Sequence, residues 1–332
     1  MQAILGIETS CDETAAAVVT EDLRVLANVV SSQIEIHSRY GGVVPEIASR
    51  VHVSEIIPVV SKAMSDAGIE GKDLAAIAVT RGPGLIGSLL VGISAAKALA
   101  LTWDKPIVGV NHLEGHLASA ALGAEPPEYP CLILLVSGGH TMIARATAPG
   151  QNKILGTTRD DSAGEAYDKL ARVLGLGYPG GPVIDRLARE GQDVLHFPRP
   201  LLRTSLEFSF SGLKTSVINY VRSHPDYNVK DVAASFAAAV MDVLVTKLEA
   251  ALAQNDVRSV AVVGGVAASP VLRERLAQMS KSRGIRVCLP PLAYATDNAA
   301  MIAAAAWPQF RAKGGDSLQF NADPRWKLPQ VS

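Results

Sequence analysis

A chain of 332 residues with 48% hydrophobic and 19% charged residues is too apolar for a disordered protein and long for a single core. An α/β protein with two lobes is expected. The net charge of −1 removes the strongest prior for nucleic-acid binding, a globally basic domain, though not a local basic strip or a partner that supplies charge. Three scattered cysteines, Cys11, Cys131 and Cys288, argue for a reducing compartment. The start lacks a basic leader and no apolar run reads as long enough to span a bilayer, so a cytoplasmic protein with no membrane contact is expected.

In chain order, Ala3–Ile7 reads as a strand, Thr9–Thr14 as a polar turn, and Ala15–Val19 and Leu23–Val30 as further strands. The turn carries more carboxylates and hydroxyls than a hairpin needs. Pro45–Ala67 has helical periodicity, with proline at the first position and Gly68 past the end. Leu74–Val79 is a strand running into a Gly-rich loop, Arg81–Ser88, which opens an apolar helix to Trp103. That loop lacks both the P-loop ending and the Rossmann glycine spacing, so a tight strand-to-helix junction explains it as well as an anion cradle.

The strand Ile107–Val110 is followed by Asn111-His112-Leu113-Glu114-Gly115-His116. Histidines four apart share a helix face and can hold one metal ion, or be satisfied core groups. The zinc-peptidase pattern is absent, because Glu114 does not directly follow His112. A metal would need a third ligand.

Glu125–Pro130 is a Pro-rich connector and the expected boundary between lobes 1–128 and 129–332. A C-terminal helix from about 297 is expected to pack back on the first lobe. Leu132–Val136, the turn Ser137–Thr141 and Met142–Ala146 then repeat the opening pattern of strand, polar turn and strand. A helix to Leu174 follows Asp160–Lys169, and Asp185 falls on the next helix. Arg199, Arg203, Lys214 and Arg222, with Phe208 and Phe210, read as a sparsely basic solvated loop. Val229–Asn255 is a long helix; Ser259–Val263, a Gly-Gly turn and a helix from Pro270 can receive a nucleotide base or ribose. After the strand Ile285–Leu289, Asp297 is either the N-cap of the last Ala-rich helix or a carboxylate free to bind metal.

Five separated motifs now stand in order: Glu8–Thr14, Asn111–His116, Val136–Thr141, Phe208–Thr215 and Thr296–Asn298. Together they resemble the TsaD (Gcp, YgjD) family of tRNA N6-adenosine threonylcarbamoyltransferases, collinearly from about Ile4 to Ala306. The resemblance implies a two-lobed actin/sugar-kinase/Hsp70-like (ASKHA) fold with a nucleotide cleft between the lobes. It implies transfer of threonylcarbamoyl from threonylcarbamoyl-AMP to N6 of the adenosine 3′ of the anticodon, in tRNAs reading codons that begin with A. ATP or ADP would occupy the same cleft.

Carried over residue by residue, the metal ligands are His112, His116 and Asp297, for one Fe(II) or Zn(II). The substrate contacts are Leu135, Val136, Ser137, Gly138, Gly139, Asp168, Gly181, Asp185 and Ser269, where the family usually has asparagine at the last. Asp12 or Glu13 is the candidate acceptor of the amine proton. The implied partners are tRNA, a TsaB-like homologue and a TsaE-like ATPase. A phosphotransferase of the same fold, a metallopeptidase and a scaffold are the competing readings.

Overall fold

The computed structural model describes residues 2–202 and 205–328, so Arg203 lies outside the described residues. The chain divides into two compact units, Met1–Pro126 with Pro290–Gln330, and Pro127–Leu289.

The first unit is built on β1 (Ala3–Glu8), β2 (Glu13–Thr20), β3 (Val25–Ser32), β4 (Leu74–Gly82) and β5 (Ile107–Asn111), in the order β3-β2-β1-β4-β5. β1, β2 and β3 pair antiparallel in sequence, and β4 and β5 add parallel to β1. Its helices are α1 (Ile34–Ser38), α2 (Pro45–Ala67), α3 (Ile86–Trp103), α4 (His112–Ser119) and, after the second unit, α10 (Ala299–Lys313). α2 ends on Gly68 in the left-handed conformation, as its sequence predicts.

The second unit repeats this topology. β6 (Cys131–Val136), β7 (Thr141–Ala148), β8 (Gln151–Thr157), β9 (Ser259–Val263) and β10 (Arg286–Cys288) run in the order β10-β9-β6-β7-β8, with the same alternation of antiparallel and parallel pairs. Its helices are α5 (Ala163–Val173), α6 (Gly180–Ala188), α7 (Ser211–Ser223), α8 (Val229–Gln254) and α9 (Pro270–Arg283). The repeat glimpsed in the two polar turns thus extends to whole sheets. β8, a polar strand at the sheet edge, carries no apolar alternation by which it could be read.

Two expectations are corrected. Phe208 and Phe210 are buried in the second core and Lys214 pairs with Asp161 at 2.8 Å, so this stretch is not a solvated loop. The reason is Asp160, whose carboxylate accepts from Phe210 N at 2.8 Å and Ser209 Oγ at 2.6 Å and pins the segment to the start of α5. Second, α3 is 18 residues long and apolar enough, by length and composition, to cross a membrane. In this unit its Leu89, Ile93 and Ala96 pack into the core.

The central packing of the first unit is α10 on β1 and α4. A Cβ on Gly6 of β1 would lie 2.3 Å from the Ala299 carbonyl oxygen and 2.9 Å from Ala303 N. A Cβ on Gly115 of α4 would lie 2.7 Å from Ile302 Cδ1. Alanine fills the facing side of α10 at 299, 300, 303, 304 and 306, all buried. Backbones approach this closely only where side chains are absent or minimal. Gly6→Ala is therefore expected to cost about 1–3 kcal/mol through forced overpacking. Gly212→Ala, whose Cβ would meet only Pro200 at 3.8 Å, is expected to be neutral or stabilising. Urea midpoints of the two variants against the wild type check both.

Candidate functional site

α4 starts immediately where β5 stops, and Asn111 makes the junction: its Oδ1 accepts from Leu113 N at 2.9 Å and caps the helix. His112 and His116 then project from one helix face, their rings 4.7 Å apart in an edge arrangement. Across from them stands Asp297, in the turn before α10. Its Oδ1 is 3.1 Å from His116 Nε2 and 3.7 Å from His112 Nε2. One ligand atom from each of the three lies within 4.8 Å of the others.

Asp297 is not the N-cap of α10. Asn298 does that work, its side chain accepting from Met301 N at 3.1 Å, and the aspartate faces the imidazoles. Both ring nitrogens of His116 are fully buried yet make no hydrogen bond among the described residues. A buried imidazole that makes no hydrogen bond is costly. Two imidazoles and a carboxylate are a donor set that suits iron or zinc, so the residues fit a divalent metal.

Behind His112 stands a carboxylate that sequence reading missed. Glu8, 1% exposed at the end of β1, has Oε2 3.0 Å from His112 Nδ1. The same oxygen accepts from Thr80 Oγ1 at 2.7 Å, and Oε1 accepts from Ser10 N. Burial raises the Glu8 carboxyl, but the charge and hydrogen bond of His112 outweigh it and hold it below the usual range. Burial likewise lowers the His112 imidazole, and Asp297 and Glu8 reverse this and push it up to about 9. With Nδ1 bonded to Glu8, Nε2 is the nitrogen presented to Asp297. The signal was present as a glutamate closing an apolar strand, since a buried charge requires a partner. Glu114 turns away and accepts from Gln309 Nε2 on α10 at 3.0 Å.

Asp12 is buried in the turn after β1 and Glu13 is partly buried beside it. Burial, with the charge of Asp12, pushes the Glu13 carboxyl up to about 10. Glu13 therefore holds a proton at neutral pH. The turn itself is held by His52 of α2, whose Nε2 donates to Cys11 O at 2.9 Å and whose Nδ1 lies 2.7 Å from Thr14 Oγ1.

The remaining predicted residues belong to the second unit. Leu135 and Val136 are buried in β6, while Gly138 and Gly139 are exposed at the turn tip, with open space where a Cβ would stand. Ser137 is buried, and its Oγ accepts from His140 N at 3.1 Å. Asp168 has one oxygen committed to Gly180 N at 2.7 Å, at the start of α6 beside Gly181. Ser269 caps α9, and the buried Asp185 carboxyl is raised by burial and lowered by the nearby hydroxyls of Ser269 and Tyr167.

Comparison with known proteins bears on this arrangement. The sequence model of TsaD, described as tRNA N6-adenosine threonylcarbamoyltransferase, matches residues 24–304. A tRNA N6-adenosine threonylcarbamoyltransferase of Syntrophus aciditrophicus is 51% identical over 98% of this chain and 97% of its own. One of Thermodesulfovibrio yellowstonii is 53% identical over 92% and 94%. Among solved structures, the Acidaminococcus fermentans (R)-2-hydroxyglutaryl-CoA dehydratase component A superposes with a TM-score of 0.56 at 14% identity, covering 93% of this chain and 99% of that one. At that identity the likeness concerns the fold alone, which is of the actin and sugar-kinase type.

The geometry generates a direct expectation. Zinc, followed by competition with a chromophoric chelator, should bind the wild type with one ion per chain and fail to bind His116→Ala. Glu8→Gln, which keeps shape but removes the charge behind His112, should weaken binding about 10–100-fold.

Proposed function

The chain belongs to the TsaD family, the tRNA N6-adenosine threonylcarbamoyltransferases, and on that premise we propose how its residues carry out the transfer. It is a transferase that modifies adenosine in tRNA. The donor we propose is threonylcarbamoyl-AMP, and the acceptor is N6 of the adenosine 3′ of the anticodon in tRNAs reading codons that begin with A.

In this reading the N6 amine attacks the carbamoyl carbonyl carbon. The new C–N bond forms, the bond to the phosphate oxygen breaks, and AMP leaves with that electron pair. A mixed anhydride already carries a good leaving group, so the protein's part is chiefly to orient and to stabilise developing charge. The backbone N–H groups of the Ser137–Gly139 turn are assigned to the phosphate, an assignment supported by the open space around Gly138 and Gly139. Leu135, Val136, Asp168, Gly181, Asp185 and Ser269 are assigned to the rest of the donor. Asp168 is partly committed to Gly180 N and Ser269 to the cap of α9.

Asp12 is assigned as acceptor of the proton lost by the amine, because the Glu13 carboxyl beside it is pushed up to about 10 and already holds its proton at neutral pH. His112, His116 and Asp297 would hold Fe(II) or Zn(II), which when bound supplies Lewis-acid polarisation of the transferred group. The observation that carries this reading is the convergence of His112, His116 and Asp297, with the buried His116 Nε2 3.1 Å from Asp297 Oδ1 and making no hydrogen bond among the described residues.

A near-neutral chain that must hold an anionic tRNA gains from partners. We propose a TsaB-like homologue and a TsaE-like ATPase in that role, with the cytoplasm as the setting. The test is single-turnover transfer of labelled threonylcarbamoyl from preformed threonylcarbamoyl-AMP to tRNA, with those partners supplied. Asp12→Asn should lower the rate constant about 10²–10⁴-fold while Glu13→Gln lowers it less, and His116→Ala should abolish transfer. A wild-type rate in Asp12→Asn would remove the base assignment. Transfer unaffected in His116→Ala would remove the metal from the chemistry.

A further inference from the structure

Residues 316–328, which follow α10, run along the edge strand β5 from Ile107 to Asn111 and over the end of β4. Asp316 starts the crossing: its amide donates to Ile107 O at 2.7 Å and its Oδ2 accepts from Gly109 N at 2.8 Å. Farther on, Arg81 at the end of β4 is taken between two rings, its guanidinium 5.4 Å from the Phe320 centroid and 5.0 Å from that of Trp326. Arg81 Nε donates to Asn321 O at 3.0 Å and Arg81 O accepts from Asp323 N at 2.9 Å. Gly84 N donates to Pro324 O at 3.3 Å.

The segment ends on Asn111. The Asn111 Nδ2 donates to Trp326 O at 3.2 Å and to Lys327 O at 3.3 Å, while its Oδ1 caps α4. The next residue is His112. The loop clamped at Arg81 and Gly84 reaches the same imidazole from another side, since Leu85 N donates to Ser10 O at 2.8 Å and Ser10 Oγ lies 3.2 Å from His112 Nδ1.

We propose that this C-terminal strap is a positioning element for His112, acting through the fully buried side chain of Asn111. One amide group joins three backbone sites, one on α4 and two on the strap, so its orientation is set by both. His112 occupies the first position of α4, where the direction of the side chain follows the angle at which the cap delivers the chain. Metal ligands must be held to a fraction of an ångström by the groups behind them, and the strap is such a group at one remove. Arg81 locks the strap by offering a cation to two aromatic faces and a donor and acceptor to its backbone. The inference rests on the metal reading of His112, His116 and Asp297 given above.

The test is the zinc affinity of the full-length chain, by chelator competition, in Asn111→Ser, Trp326→Ala, the double variant and Trp326→Phe, each checked by far-UV circular dichroism and melting temperature. Serine keeps a helix cap but is too short to reach the strap. Each single variant is expected to bind zinc at least about ten-fold more weakly with wild-type helix content. The double variant should be no weaker than the worse single, because both cut one linkage, and Trp326→Phe should restore affinity by keeping a ring on Arg81. Wild-type affinity in Trp326→Ala with a lowered melting temperature would reduce the strap to a stabilising element and overturn the proposal. Losses that multiply in the double variant would also overturn it, since the two residues would then act independently. A wild-type chain that binds no zinc would instead overturn the metal reading, and this inference with it.

Discussion

The first unit depends on one close approach, that of α10 to β1 and α4. Glycine at 6 and 115 and alanine along the buried side of α10 let helix and sheet backbones come within contact distance. Asp297 sits two residues ahead of that helix, so the depth to which α10 packs sets where its carboxylate stands. A bulkier residue at either glycine would lift the helix and the aspartate with it. Packing density and ligand geometry are here the same constraint.

Electrostatics around the centre follow a nested arrangement. His112 faces Glu8 on one nitrogen and Asp297 on the other, and Glu8 is itself held by Thr80 and the Ser10 amide. The buried charges of Glu8 and His112 therefore have partners, and the chain of partners leads back to β4 and to the turn after β1. His116 has only the Asp297 carboxylate, 3.1 Å from its Nε2, and neither of its nitrogens makes a hydrogen bond among the described residues. An imidazole in that condition is stabilised by a cation between it and Asp297, which is the physical reason for reading the cluster as a metal centre.

Much of this was legible in the sequence, and the limits have identifiable causes. The strands β1, β4, β5, β6 and β9 are apolar runs buried on both faces, and α2 carries proline and glycine at its ends, so each could be read locally. The histidine pair was visible from helical spacing alone. Its third ligand was ambiguous because Asp297 and Asn298 are both able to cap, and only three-dimensional packing shows Asn298 doing so. Glu8 was passed over because a turn dense in carboxylates hides which one is buried. The Phe208–Lys214 stretch was misread for a related reason: its burial is imposed by Asp160 and Asp161, some 50 residues earlier in the chain. The strap's hold on Asn111 is longer still in sequence, and no local pattern announces a contact between backbone carbonyls and a distant amide.

The central claim is that His112, His116 and Asp297 form a metal centre. X-ray absorption at the metal edge on the zinc- or iron-loaded full-length chain addresses it without reference to activity. Two imidazole nitrogens at about 2.0–2.1 Å with further oxygen ligands at about 2.0–2.2 Å is the result this account predicts, with no bound metal retained by His116→Ala. A shell made of oxygen alone, or one unchanged by His116→Ala, would place the metal elsewhere and contradict it.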